Sequence, residues 1–172
     1  MALDETDLDA LVSEAAAILD AVAKPFVEGH RAESAVQKKG NDFATEVDLA
    51  IERQVVEALT TKTGIGVHGE EFGGQDVDSP LVWVLDPIDG TFNYAAGSPM
   101  AAILLGLLRD GEPVAGLTWV PFTGERITAL DYSVVRLRWD DRTIWCTGRP
   151  EIIARLTLRT ATLNDFATNN VI

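Results

Sequence analysis

A continuous apolar run sets the strongest condition on the fold of this chain. Leu81–Leu85 reads LVWVL and ends directly in Asp86. An unbroken run of this kind is typical of a strand that is buried on both faces. Such a strand needs further layers to cover it, and hydrophobic residues make up 47% of the 172 residues, which suffices for a core. The sequence therefore predicts a layered domain with this strand inside its sheet.

Two amphipathic helices are predicted before this strand. Apolar residues recur at helical spacing from about Leu8 to Ala23, with Thr6 and Asp9 resembling a capping pair at the start and Pro25 following the end. A second helix is predicted from about Thr45 to Leu59, with Thr45 as its N-cap.

Several strands are predicted around and after the apolar run. The segment GIGVHGEEFGG predicts a short strand flanked by glycines, and MAAILLGLL and EPVAGLTWV flank an Asp-Gly turn, which predicts an antiparallel hairpin. GERITAL predicts a further strand, whereas the patterns after Leu130 are mixed. The order of helices and then strands predicts an α+β layered domain over residues 1–130, with residues 131–172 as a separate remainder.

Charge and cysteine content restrict the partners that we expect. The net charge is -13, from 27 acidic against 14 basic residues. Such a surface repels nucleic acid and anionic lipid, so neither a nucleic acid nor a membrane is expected as a partner. Cys146 is the single cysteine and the first residues are acidic, unlike a secretion signal. Both features favour the reducing cytoplasm.

The turn after the apolar run carries two acids three residues apart. Asp86 ends the strand, Pro87 stiffens the turn, and Asp89 returns close to Asp86. Gly90 allows the backbone to approach a ligand, and Thr91 can begin a helix whose free N–H groups suit a phosphate. Two carboxylates held this close repel each other unless a cation lies between them. Hard oxygen ligands favour Mg²⁺ or Mn²⁺.

Simpler explanations exist for each acid taken alone. Asp-Gly is a common turn pair, Glu70 and Glu71 could form a charged surface loop, and Asp48 could favour a helix N-terminus. Their joint occurrence favours a binding site. With Asp86 as a bridge, Glu70 on one side and Asp89 on the other, the acids match the ligand pattern of a two-metal site, with ions about 3.5–4 Å apart.

Three segments in this order, KKGNDFATEVDLAIE, GEE and WVLDPIDGTFNY, resemble the inositol monophosphatase family, and the resemblance runs from about Leu8 to Leu130. It implies the layered α/β sandwich of the sugar phosphatases. It also implies a Mg²⁺-dependent, lithium-sensitive phosphomonoesterase that hydrolyses myo-inositol monophosphate, in which Mn²⁺ can substitute. A homodimer is implied by the resemblance alone.

The resemblance also implies a set of metal ligands. Glu70 and the carbonyl of Ile88 would bind the first metal, Asp86 would bridge both metals, and Asp89 would hold the second.

The remaining roles concern phosphate and water. Asp89, Gly90 and Thr91 would contact the phosphate, and Asp48 with Thr91 would orient and deprotonate the attacking water. Glu71 would support the site from the layer behind the metal ligands.

The sequence departs from the family pattern in one respect. Family members carry a second half with a Trp-Asp-Ala/Gly-Ala-Gly motif, whose Asp ligates the second metal, and no such motif occurs in these 172 residues. Asp140 follows a Trp but precedes no pair of small residues, so we do not expect it to replace that ligand. The resemblance therefore implies that the C-terminal half of the family is missing from this sequence.

Two alternatives remain open at this point. The same metal motifs occur in phosphatases that act on fructose 1,6-bisphosphate, histidinol phosphate or 3'-phosphoadenosine 5'-phosphate. A degenerate, non-catalytic domain that only binds a metal would also fit.

Overall fold

The computed structural model describes residues 5–31, 34–37, 43–130, 134–139 and 142–147. Helices and strands alternate early in the chain, and strands follow one another later, which gives the predicted α+β class. The helices are α1 (Glu5–Glu28), α2 (Glu46–Thr63) and α3 (Thr91–Ala95). The strands are β1 (Ser34–Gln37), β2 (Phe43–Thr45), β3 (Val67–Gly69), β4 (Gly73–Gly74), β5 (Leu81–Asp89), β6 (Ala102–Arg109), β7 (Glu112–Val120), β8 (Glu125–Leu130), β9 (Val134–Trp139) and β10 (Arg142–Thr147).

Eight of these strands form one mixed sheet in the order β10-β9-β8-β7-β6-β5-β3-β4. Strands β3 and β5 pair in parallel, and the other neighbours pair antiparallel. The hairpin predicted around the Asp-Gly turn is confirmed, because β6 and β7 pair from Arg109 opposite Glu112 onward. The strand predicted in GERITAL is β8, and β9 and β10 extend the sheet past Leu130. Strands β1 and β2 form a separate antiparallel pair.

Alternation along β6 shows which face of the sheet holds the core. Ile103, Leu105 and Leu107 are buried, whereas Leu104 and Leu108 are half-buried. Successive side chains of a strand point to opposite faces. The buried series belongs to the same hydrophobic core as the apolar stripe of α1 and, on α2, Ile51, Val55 and Leu59.

The apolar run Leu81–Leu85 forms the first part of strand β5. Val82 and Trp83 are both fully buried, and as neighbours they point to opposite faces, so both faces are covered at this level. Val84 is half-buried, so the coverage is incomplete farther along the strand. Within the part of the chain that the structure describes, no helix combines the length and the apolar character needed to cross a membrane.

Helix α1 corrects two details of the prediction. The helix begins at Glu5, so Thr6 lies within it rather than at its N-cap position. It also continues through Pro25 to Glu28, instead of ending near Ala23. Phe26 explains this extension, because its ring is fully buried and its carbonyl accepts the hydroxyl of Tyr94. The burial of this last turn offsets the backbone hydrogen bond that proline removes.

Helix α2 starts as predicted. Thr45 is the N-cap, and its side chain accepts the N–H groups of Val47 and Asp48. Asp48 reaches back to accept the backbone N–H of Thr45 at 2.8 Å, which completes a capping box. The helix ends at Thr63, and Gly64 follows as its C-cap in the left-handed conformation with φ 69°. The capping box with Thr45 fixes Asp48 at a defined position in the fold.

Candidate metal and phosphate site

The parallel pairing of β3 and β5 brings the first two acids together. Gly69 at the end of β3 lies opposite Leu85 of β5, so the next residues, Glu70 and Asp86, lie side by side. The backbone N–H of Glu70 donates to the carbonyl of Leu85 at 3.0 Å and extends this pairing by one residue. Sequence spacing alone could not reveal this neighbourhood, because the two acids are sixteen positions apart along the chain.

An irregularity in β5 brings Asp89 near the same place. Asp86 pairs with Leu104 and Asp89 pairs with Ala102, so three steps on β5 match two steps on β6. Such a bulge re-aims side chains. The backbone N–H of Ile88 donates to Oδ1 of Asp86 at 3.1 Å and closes the turn.

The three carboxylates form an acidic cluster around Asp86. Burial, together with the charge and hydrogen bond of Glu70 and the charge of Asp89, raises the pKa of Asp86 from its ordinary value of 3.8 to about 8. The N–H of Ile88 acts in the opposite direction. Ionising Asp86 is therefore costly in this position, and a bound cation would offset that cost.

These groups fit Mg²⁺ or Mn²⁺ in the chemistry of their donors. Carboxylate oxygens are the ligands that hard divalent cations prefer. Among the described residues, no three acidic, imidazole or thiol side chains converge closely enough to hold one ion between them. A two-metal arrangement needs only pairs, because Asp86 would share one ion with Glu70 and another with Asp89. The role of each residue as a metal ligand stays a prediction.

The segment that follows Asp89 has the shape expected of a phosphate contact. Gly90 takes the left-handed conformation with φ 86°, and α3 begins at Thr91 as predicted. A side chain at position 90 would meet the carbonyl of Met100 at 2.8 Å, so glycine is required there. The carbonyl of Ile88 accepts the Thr91 hydroxyl at 2.9 Å, and its second lone pair leaves it able to act as a ligand.

Asp48 and Thr91, which were predicted to act together, are neighbours. The Thr91 hydroxyl lies 3.3 Å from Oδ1 of Asp48, and this contact joins the start of α2 to the start of α3. Oδ2 of Asp48 accepts the backbone N–H and the hydroxyl of Thr45. Asp48 is almost fully buried, and this burial raises its pKa, while the hydrogen bonds from Thr45 and Thr91 lower it. One carboxylate thus caps a helix with one oxygen and faces the site with the other.

One acid of this region was missed in the sequence analysis. Glu52 lies on α2, one turn after Asp48, and is fully buried. Its two carboxylate oxygens accept the backbone N–H groups of Glu71 and Phe72, each at 2.8 Å. Glu71, which was predicted to support the site, is half-buried. The available signal was an acid placed on the apolar face of α2 between Ile51 and Val55.

All eight predicted site residues lie in the described part of the chain, and they gather where β3 and β5 end and where α2 and α3 begin. Asp140, the acid that follows a Trp in the sequence, lies outside the described residues.

Comparisons with known proteins identify the family of this chain. Residues 3–139 match the model of the inositol monophosphatase family. The chain is 80% identical over 128 residues to inositol-1-monophosphatase ImpA of Mycolicibacterium smegmatis, which covers 74% of this chain and 46% of that protein. It is 76% identical over 120 residues to the probable inositol 1-monophosphatase ImpA of Mycobacterium tuberculosis, which covers 70% of this chain and 44% of that protein.

A solved structure shares the fold. Inositol monophosphatase II from Staphylococcus aureus superposes with a TM-score of 0.61 at 27% identity, over 78% of this chain and 49% of that one. The chain spans less than half the length of the two ImpA proteins. With the family match over residues 3–139 and the shared fold, the chain belongs to the inositol monophosphatase family.

Proposed function

We propose that this site hydrolyses phosphate monoesters in a Mg²⁺-dependent reaction, and that myo-inositol monophosphate is the substrate. The observation that carries the proposal is the position of Asp86 beside both Glu70 and Asp89 at the ends of β3 and β5, directly before the turn at Gly90 and Thr91. Family membership supports the reaction class, and the name of the ImpA relatives supports the substrate.

The acidic cluster would supply the metal ligands. Glu70, Asp86 and the carbonyl of Ile88 would hold one Mg²⁺, and Asp86 with Asp89 would hold the second. When bound, the ions neutralise the phosphate oxygens, lower the pKa of a water molecule and stabilise the departing alkoxide. The residues themselves provide a fixed frame: the N–H of Ile88 orients Asp86, and the backbone pairing with Leu85 orients Glu70.

Thr91 and Asp48 would orient and deprotonate the attacking water. The Thr91 hydroxyl can donate either to Asp48 or to the carbonyl of Ile88, and its lone pairs remain available to a water molecule. A raised pKa makes a carboxylate a better proton acceptor, and burial raises the pKa of Asp48. We therefore propose that Asp48 is the proton acceptor. The attacking water would donate its proton to the Thr91 hydroxyl, and that hydroxyl would donate its own proton to Asp48. Gly90 would bring the backbone close to the phosphate.

The proposal has further parts that follow from the family. Mn²⁺ would replace Mg²⁺, lithium would inhibit turnover, the protein would act in the cytoplasm, and it would form a homodimer. The acidic surface, with a net charge of -13, supports a small phosphate ester rather than a nucleic acid as the ligand. Sedimentation of the active protein tests the dimer, and a clean monomer would count against it.

A chimeric protein tests the function directly. The segment of M. smegmatis ImpA that matches this chain would be replaced by the corresponding residues of this chain, and phosphate release would be measured with and without Mg²⁺. Inositol 1-phosphate, fructose 1,6-bisphosphate, histidinol phosphate and 3'-phosphoadenosine 5'-phosphate would be compared. We expect Mg²⁺-dependent turnover with inositol 1-phosphate as the preferred substrate.

Two variants of the chimera make the test specific. Asp89→Asn should lower kcat by several orders of magnitude without unfolding the protein, because the second ion loses a carboxylate. Asp78→Asn, which alters an exposed acid in the loop before β5, should leave kcat unchanged. Near-normal turnover in Asp89→Asn would contradict the metal assignment. A chimera that binds the metal but releases no phosphate would favour the non-catalytic alternative.

A further inference from the structure

Glu52 is a buried acid with no assigned role in the proposed reaction, yet it contacts the loop of residues 70–72, which carries Glu70. The residue is fully buried on α2, four positions after Asp48. Burying a carboxylate is costly unless hydrogen bonds compensate it. The two backbone N–H groups that it accepts, from Glu71 and Phe72, supply that compensation. The backbone of the loop therefore supplies the hydrogen bonds that the buried carboxylate of Glu52 needs, and Glu52 in turn fixes the position of the loop.

The loop is held from two sides. On one side the backbone N–H of Glu70 donates to Leu85 at 3.0 Å, which ties the loop to β5. On the other side the next two N–H groups are tied to α2 through Glu52, each at 2.8 Å. The backbone from residue 70 to residue 72 is thus fixed between a strand and a helix. Glu70 is the first residue of this fixed segment, and its side chain meets Asp86.

Gly69 shows how tightly Glu52 packs against this loop. A Cβ built on Gly69 would overlap the carboxylate of Glu52, so the approach depends on the lack of a side chain there. The φ of Gly69 is not in the left-handed region, so the requirement is one of space rather than of backbone conformation. The contact also explains a glycine directly before Glu70 in the sequence.

We infer that Glu52 is a positioning residue, which sets the metal-binding carboxylate of Glu70 beside Asp86 by accepting the N–H groups of Glu71 and Phe72. The inference rests on the proposed metal site. Because Asp48 and Glu52 lie on successive turns of α2, the same helix fixes the acid assigned to the water and the loop assigned to the metal. A shift of α2 would move both together.

Substitution by glutamine separates shape from hydrogen bonding. Glu52→Gln keeps the size of the side chain, but its amide group has one oxygen and one NH₂ group. It can accept from only one of the two N–H groups, and its NH₂ would face the other donor. The measured quantity is the Mn²⁺ dissociation constant of the 172-residue chain, and the amide resonances of Glu71 and Phe72 are followed in the metal-free protein.

We expect Glu52→Gln to weaken Mn²⁺ binding by about 10- to 100-fold, the range found for residues that orient metal ligands. The resonances of the two amides should move before any metal is added. Glu57→Gln, an exposed acid on the same helix, should change neither quantity. If Glu52 acts through Glu70, the double variant that combines Glu52→Gln and Glu70→Gln should bind Mn²⁺ no more weakly than the single variant Glu70→Gln.

Different failures are distinguishable. A folded Glu52→Gln variant with wild-type affinity, or a double variant whose loss equals the product of the single losses, overturns the inference and leaves the metal site standing. A wild-type chain that binds no Mn²⁺ overturns the proposed metal site and the inference with it. If Glu52→Gln does not fold, Gly69→Ala displaces the same carboxylate and should also weaken binding, with Gly116→Ala as control because a Cβ there meets nothing within 4 Å. Wild-type affinity in Gly69→Ala would overturn the inference.

Discussion

Replacing Asp86 by asparagine should stabilise the metal-free protein while removing the proposed metal site. Asp86 carries the strongest electrostatic conflict described in the site, because it is partly buried and faces Glu70 and Asp89. Asparagine has nearly the same shape, and its side-chain oxygen can still accept the N–H of Ile88. The substitution therefore removes the charge and retains the turn.

The size and the pH dependence of the effect follow from the pKa of Asp86. This pKa is raised from 3.8 to about 8 in the fold, so the folded chain keeps a proton that the unfolded chain releases. The stability of the wild type should therefore fall as the pH rises from about 4 to about 8 and be constant above that, as far as this group is concerned. A shift of this size corresponds to about 6 kcal/mol in a dry site, but solvent reaches the half-buried carboxylate and screens it, so we expect about 1–2 kcal/mol.

Urea denaturation in EDTA, at about pH 5 and at about pH 8, provides the assay. Asp86→Asn should exceed the wild type in free energy of unfolding, with a larger difference at the higher pH. Mg²⁺ should stabilise the wild type and have no effect on the variant. The exposed Asp78→Asn serves as the control. A variant that is less stable than the wild type at about pH 8, or a difference that is the same at both pH values, would refute the reasoning.

Three further predictions concern the fold and the 172-residue chain. Thr45→Ala should lower the free energy of unfolding by about 1 kcal/mol because α2 loses its cap, and Thr45→Ser should not, as urea denaturation would show. Leu19→Ala, in the middle of the core, should cost about 2–5 kcal/mol in the same assay, with a smaller loss for the half-buried Leu11→Ala. The 172-residue chain should release phosphate from inositol 1-phosphate far more slowly than the ~1–10³ s⁻¹ of typical enzymes. In the family pattern three carboxylates hold the second ion, and these residues supply only Asp86 and Asp89. Turnover within that range would mean that another acid supplies the ligand.

The elements whose local signals are strong could be predicted from the sequence. The cap at Thr45, the hairpin around Asp110 and the buried run of β5 all depend on neighbours along the chain. Helix α1 was predicted too short, because Pro25 is a local signal for an end while the burial of Phe26 is a tertiary effect. Local patterns identify where an element is favoured, and packing decides how far it extends.

The residues of the candidate site could also be predicted only in part from the sequence. Asp86 and Asp89 could be found from their spacing, but the approach of Glu70 depends on the parallel register of β3 and β5. Glu52 was missed because its hydrogen bonds join a helix to a loop that lies nineteen and twenty residues farther along the chain. An acid on the apolar face of a predicted helix was the one signal available, and without the loop it could not be given a partner.

The position of a bound metal tests the central claim most directly. Crystals of the 172-residue chain soaked in Mn²⁺ would be measured for anomalous scattering. We predict a peak at bonding distance from the carboxylates of Glu70 and Asp86, which disappears in crystals of Asp86→Asn. Mn²⁺ bound at other residues, or a peak that survives in Asp86→Asn, would contradict the account.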